Sequence, residues 1–133
     1  MTFTRHPAPG TIVRVDLSEG FRPPEMVKRR PAIILSPEIP TRPFLCTIVP
    51  LSTTEPRPVL PHHMTVTFCP PLPYPYENPV AWVKGDMVLT VAFHRLSLLY
   101  RKRNGNQKSY DIRVLDQPTF ARVQQCVRFG LGL

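Results

Sequence analysis

The chain has 133 residues, with 17 Lys and Arg against 9 Asp and Glu, a formal net charge of +8 and a pI near 10.0. That length suits one domain that folds around its own core, and the charge favours a polyanionic partner such as nucleic acid or an acidic protein. No apolar run approaches the ~20 residues that span a bilayer, and "MTFTRHPAPG" lacks the apolar centre of a signal peptide, so a cytoplasmic protein is expected.

In chain order, short β-branched runs alternate with turn chemistry. "TIVRVDL" (11–17) puts Ile12 and Arg14 on one face and Val13, Val15 and Leu17 on the other. "PAIILS" (31–36) and "FLCTIVPLS" (44–52) are continuous apolar runs suited to central strands, and "MTVTF" (64–68) alternates again. "AWVKGDMVLTV" (81–91) reads as one or two strands broken near Gly85, and "AFHRLSLL" (92–99) as a short helix. "RNGNQK" (103–108) is a hairpin-type turn before a sixth strand, "SYDIRVL" (109–115). The last segment, "DQPTFARVQQCVRFGLGL", predicts a helix with Asp116 as N-cap and Pro118 in its first turn. Phe120, Val123, Val127 and Leu131 form its apolar stripe, and Gly130 marks its end.

The 18 prolines punctuate these runs rather than spreading through them. The densest cluster, "CPPLPYPYENP" (69–79), predicts a stiff polyproline-like crossover carrying Tyr74 and Tyr76, which covers a barrel end or contacts a partner. Short strands, frequent turns and one terminal helix together indicate a mainly β fold of small, strongly curved barrel type in a single domain, 1–133.

Cys46, Cys69 and Cys126 are widely spaced and form no CxxC pair, which supports neither a disulfide framework nor a zinc site. His62 and His63 are neighbours on a predicted strand, where successive side chains point to opposite faces, so no metal site is expected there. No cofactor is implied.

The ordered set "PGTIVRVDL", a basic proline-containing loop with Glu25, "KRRPAIILSPE", "CTIVPLSTTEP" and "WVKGDMVLTVAFHRL" before a C-terminal helix resembles the MazF/PemK family of toxin–antitoxin toxins. The resemblance runs from about Pro9 to the end of the chain. It implies an SH3-like barrel, dimeric, that cuts single-stranded RNA without a metal and binds a cognate acidic antitoxin. Its catalytic arginine falls on Arg30 in the Arg-Pro step, and its threonine on Thr53, or on Ser52 if the register slips by one. Glu25 stands at the spacing of the family glutamate. It could orient Arg30 or accept a proton, and the sequence names no general base. The loop departs from the family in having Pro23-Pro24 where Gly-Ser is usual. Met87 and Leu89 occupy places where a glutamine and a basic residue are common, which bears on RNA sequence preference.

The chemistry of these residues agrees with that implication. A planar, permanently charged guanidinium grips two phosphate oxygens, and Pro31 biases Arg30 towards an extended backbone. Lys28, Arg29, Arg57, Lys84 and the run Arg101, Lys102 and Arg103 are candidate phosphate contacts. Trp82 is a core or dimer residue, or a platform for a base. Two other functions compete: a gyrase poison on the same barrel, and a nucleic-acid-binding barrel without catalysis. The gyrase reading lacks the bulky Trp that the resemblance would place at the C-terminus, where the chain reads "RFGLGL".

Overall fold

β-Branched residues prefer a pleated, packed surface, and the runs rich in them form strands. A computed structural model describes residues 3–133. Its strands are β1 (Ile12–Leu17), β2 (Lys28–Ile34), β3 (Leu45–Ser52), β4 (His63–Thr67), β5 (Val80–Lys84), β6 (Leu89–Ala92), β7 (Leu96–Ser97), β8 (Leu99–Asn104) and β9 (Gln107–Asp111), followed by the helix α1 (Gln117–Leu131). The main sheet is antiparallel in the order β4-β5-β3-β2-β1-β7, with β6 also paired to β3. Its ladder is an open path, so among the described residues hydrogen bonding does not close the barrel. β8 and β9 form a separate hairpin.

The alternation in β1 holds as expected. Ile12 joins one core with Ile33, Val49, Leu51 and Val83, while Val13, Val15 and Leu17 join a second with Ala32, Ile34 and Ile48. β1, β2 and β3 are therefore buried on both faces, which is why "PAII" and "LCTIV" read as continuous apolar runs. Cys46 and Cys126 are buried and free, and Cys69 is exposed and free. Burial pushes the Cys46 thiol up to about 11, as suits an inert core residue.

Segment 92–99 is not the expected helix. Phe93–Arg95 make one 3-10 turn, and the chain then runs through β7 into β8. Phe93, Leu96, Leu98 and Leu99 are all buried, and apolar residues in demand on two sides mimic helical spacing. The sixth strand also sits earlier than 109–115, at Gln107–Asp111, with only an isolated bridge from Thr11 to Val114 beyond it. The proline-rich crossover is folded onto the core rather than extended. Leu72 is buried in the first core, Tyr76 packs beside it, and the Tyr76 N–H donates to Pro73 O at 2.9 Å. Tyr74 stands out in solvent at 84% exposure.

α1 begins as predicted, with the Asp116 side chain accepting from the Thr119 N–H at 2.8 Å and Pro118 in the first turn. It ends two residues later than expected, on Gly132 in the left-handed region at φ 72°. Val123 and Cys126 are its buried residues, whereas Leu131 is half exposed. Among the described residues no helix is long and apolar enough to cross a membrane. Gly130 is needed for packing rather than for ending the helix, because its missing side chain lets α1 touch the β5–β6 turn. A Cβ there would lie 2.5 Å from Asp86 N, and a Cβ on Gly85 would lie 2.2 Å from Cys126 O. Two glycines thus form the seam between helix and sheet.

This seam is testable by urea denaturation. Gly85→Ala should cost about 2 kcal/mol or more, because backbone on both sides must move. Gly105→Ala meets nothing within 4 Å at φ +60°, so it should cost only the left-handed penalty of about 1–2 kcal/mol. Equal stability of Gly85→Ala and the parent protein would contradict the seam.

Candidate active site

The site is built where β2 begins and β3 ends. β1 and β2 pair Val15 with Arg30 and Asp16 with Arg29, so the two adjacent arginines leave the sheet on opposite faces. Arg29 goes to the Asp16 side, where its Nε donates to the carboxylate at 3.1 Å. Two bonds from Ser18, assisted by Arg29, hold the Asp16 carboxyl down to about 2. Arg30 goes to the other side. It is half buried, and its Nε donates to Val27 O at 2.7 Å, which pins the guanidinium against its own strand. Burial lowers its pKa, yet an arginine stays charged at neutral pH. Lys28, just before them, is exposed and holds a left-handed φ of 78°, unusual for a residue other than glycine.

The β2–β3 ladder pairs Ile34 with Ile48, Ile33 with Val49 and Ala32 with Pro50. Pro31 and Pro50 each lack an N–H, and the ladder stops there. Carried on by two residues, the register sets Arg30 opposite Ser52. Parity agrees: Val49 and Leu51 face the first core, so Ser52 shares the Arg30 face. Ser52 is only 6% exposed, and its Oγ accepts from the Thr54 N–H at 3.1 Å. Its hydroxyl proton is thereby left to donate elsewhere. Thr53 lies past the strand end and is exposed. The register that favours Ser52 could have been found from the sequence, because the buried "VPL" fixes which face each following residue takes.

On its other edge β3 pairs with β5, with Ser52 opposite Trp82, and Trp82 in turn sits opposite Thr65 of β4. Lys84 is on the same face of β5 as Trp82 and is half buried. Arg57 is exposed in the segment between β3 and β4. Glu25 is exposed on the β1–β2 loop, and its Oε1 accepts from the Arg22 N–H at 3.2 Å. It is Val27 O, not Glu25, that Arg30 Nε meets.

The three basic residues of β8 belong to the separate hairpin. Arg101 is tied to the buried carboxylate of Asp111, which also takes Arg113 at 2.9 Å. Lys102 and Arg103 are exposed, and Arg103 Nε donates to Gly105 O at 3.2 Å. Arg14, opposite Pro31 on the Arg29 face, has a buried Nε without a hydrogen-bond partner.

The histidine expectation is corrected. His62 precedes β4, so strand alternation does not separate it from His63, and the two rings lie 4.1 Å apart. With Asp86 they place three donor atoms within 4.8 Å of one another, and His62 Nε2 is 3.7 Å from the Asp86 carboxylate. These residues could hold a divalent cation, but the Leu60 N–H donates to His63 Nδ1 at 3.0 Å and occupies that lone pair. Burial and the neighbouring His62 lower the His63 pKa, which keeps its ring neutral at pH 7.

Residues 8–130 match the family model described as PemK-like, MazF-like toxin of type II toxin–antitoxin system. No curated protein matches the chain. An endoribonuclease from a mycobacterial species, solved in complex with its cognate antitoxin, is 20% identical, with a TM-score of 0.63 over 96% of this chain and 97% of that one. MazF from Deinococcus radiodurans is 18% identical, with a TM-score of 0.63 over 96% and 97%. Mycobacterium tuberculosis toxin MazF-mt6 is 16% identical, with a TM-score of 0.58 over 95% and 98%. At such identities the structures speak for a shared fold, and the family model covers nearly the whole chain. The chain belongs to the PemK-like, MazF-like toxin family of type II toxin–antitoxin systems.

Proposed function

We propose that this toxin is a metal-independent endoribonuclease that cuts single-stranded RNA in the cytoplasm and so inhibits growth. The observation that carries the reading is the half-buried Arg30 pinned to Val27 O, on the face of the sheet that Ser52 shares when the β2–β3 register is continued past its last pair. In such a reaction the RNA 2′-hydroxyl gives up its proton to a base and attacks its own phosphorus, the ester bond to the 5′-oxygen of the next nucleotide breaks, and that oxygen takes a proton from solvent water. Negative charge gathers on the equatorial oxygens as this happens. Arg30 has Nε committed to Val27 O, which leaves its two terminal nitrogens free to grip those oxygens. Ser52 adds a second donor. Each well-aimed donor in such a site is worth about 3 kcal/mol in the transition state. The products are a 2′,3′-cyclic phosphate and a 5′-hydroxyl. Glu25 keeps a carboxylate oxygen beyond its bond to Arg22 and is the group we assign to the 2′-hydroxyl proton.

Lys28, Arg57 and Lys84 would track the phosphates, with Arg29 on the opposite face of the sheet from Arg30 and Lys102 and Arg103 on the separate hairpin as further contacts. Arg101 is better read as the partner of Asp111 than as an RNA contact. The antitoxin seen with the mycobacterial relative suggests the partner here: an acidic, largely disordered segment that folds along the same basic groove. A homodimer is part of the same reading.

Arg30→Lys keeps the charge and loses the two-pronged grip. It should fold with a loss of about 1 kcal/mol from the missing Val27 bond, and cleave at least about 100-fold more slowly. Arg29→Lys should stay close to the parent rate. Near-parental cleavage by Arg30→Lys would defeat the reading.

The hydroxyl can be assigned by the same assay. Ser52→Ala should lose about 100-fold in rate, while Thr53→Ala should change little. The opposite ranking would move the role to Thr53.

RNA affinity, measured with Arg30→Lys, should fall with salt. Four neutralised phosphates would give a log–log slope of about −3. Antitoxin should compete with RNA for one groove, and simultaneous tight binding of both would contradict the shared surface.

A further inference from the structure

Trp82 is the chain's only tryptophan, and it is not buried in either core. It lines an open cleft of about 510 Å³ between β4, β5 and α1, with Val59, Met64, Cys126, Arg122 and Gln125. Neither Arg30 nor Ser52 lines the cleft, and Trp82 is the link between it and the proposed catalytic corner. Ser52, Trp82 and Thr65 lie directly opposite one another across β3, β5 and β4, and residues so paired share a face. Continuing the β2–β3 register adds Arg30 to the same row. Trp82 is thus two strand spacings from Arg30, about 10 Å. A nucleotide whose phosphate sits at Arg30 and Ser52 has its neighbouring base within reach of the indole.

The walls of the cleft suit a base. Trp82 offers a half-exposed aromatic surface, and Met64, Val59 and Cys126 make an apolar lining. Arg122 and Gln125 stand three residues apart on α1, so they project from the same side of the helix, and both are exposed. Arginine matches the O6 and N7 acceptors of guanine, and glutamine matches N6 and N7 of adenine. Both side chains therefore read a purine's outer edge, while the indole stacks on its face.

We propose that this cleft is a nucleobase subsite that seats a purine flanking the cleavage point of single-stranded RNA, with Trp82 as stacking platform and Arg122 and Gln125 as edge readers. This rests on the RNA-cleaving reading above and supplies what that reading lacks, a source of base preference.

The test uses the intrinsic emission of Trp82, free of other tryptophans. Arg30→Lys protein is titrated with a purine-containing RNA oligonucleotide and with the same oligonucleotide made abasic next to the cleavage point. Binding is followed in parallel by the anisotropy of a labelled RNA end. The intact oligonucleotide should quench the emission as it binds, and the abasic one should bind about 10-fold more weakly without quenching. In the otherwise native protein, Trp82→Ala should lower kcat/KM about 10-fold, and Trp82→Phe should restore most of it. Gln125→Ala or Arg122→Ala should relax the base preference at one position beside the cut and leave the products' ends unchanged. If anisotropy reports binding and Arg30-dependent cleavage persists while Trp82 emission does not respond, the subsite is refuted and the nuclease reading stands. If emission changes with protein dilution but not with RNA, the cleft is an interface between copies and the proposal is again refuted. If no Arg30-dependent cleavage occurs at all, it is the nuclease reading that fails.

Discussion

Strands β1, β2 and β3 carry apolar side chains on both faces, and this double burial fixes the register of everything attached to them. Ile12, Ile33 and Val49 fill one core while Val13, Ala32, Ile34 and Ile48 fill the other. A slip of one residue would exchange the two sets, since strand side chains alternate. It would also send Arg30 to the Asp16 face and Arg29 to the face of Ser52. The position of a single guanidinium is therefore set by the packing of two cores, and rigidity of that kind is what transition-state stabilisation needs.

The same constraint separates charges that are adjacent in sequence. Lys28, Arg29 and Arg30 look alike as a basic run, but each has a different fate. Lys28 is exposed on a strained backbone, Arg29 is engaged by Asp16, and Arg30 is half buried against Val27 O. An exposed ion pair such as Arg29–Asp16 contributes little to stability. The register alone puts Arg29 on the face away from Arg30, and the pair only engages its side chain there. The two prolines at the ladder's end, Pro31 and Pro50, lack the N–H that pairing needs, and the β2–β3 ladder ends beside the corner.

Strands β1 to β6 were legible because burial on known faces leaves a direct imprint on residue type, whereas β7 and β8 were not expected and β9 was placed two residues late. The helix cap was legible because Asp116 followed by Pro118 is local chemistry. What was not legible depends on partners remote in sequence. Segment 92–99 looked helical since its leucines satisfy two cores at once. Gly130 looked like a helix stop, but its reason is the approach of Gly85, and only the fold brings them together. The His62, His63 and Asp86 cluster arises because His62 lies outside the strand. The proline-rich crossover was expected to extend, yet burying Leu72 folds it down. Of the proposed site, Arg30 was singled out by its Arg-Pro step and Ser52 only as the alternative to Thr53, while the pairing of Ser52 with Trp82 needs the fold.

The central claim is that Arg30 and Ser52 stabilise an attack by the RNA's own 2′-hydroxyl, with no metal taking part. End-group analysis of a long single-stranded RNA cut in excess EDTA tests it most directly. The account predicts undiminished cleavage that leaves a 2′,3′-cyclic phosphate, or the 3′-phosphate derived from it, and a 5′-hydroxyl. Cleavage that requires added Mg²⁺, or that leaves a 3′-hydroxyl and a 5′-phosphate, would contradict it.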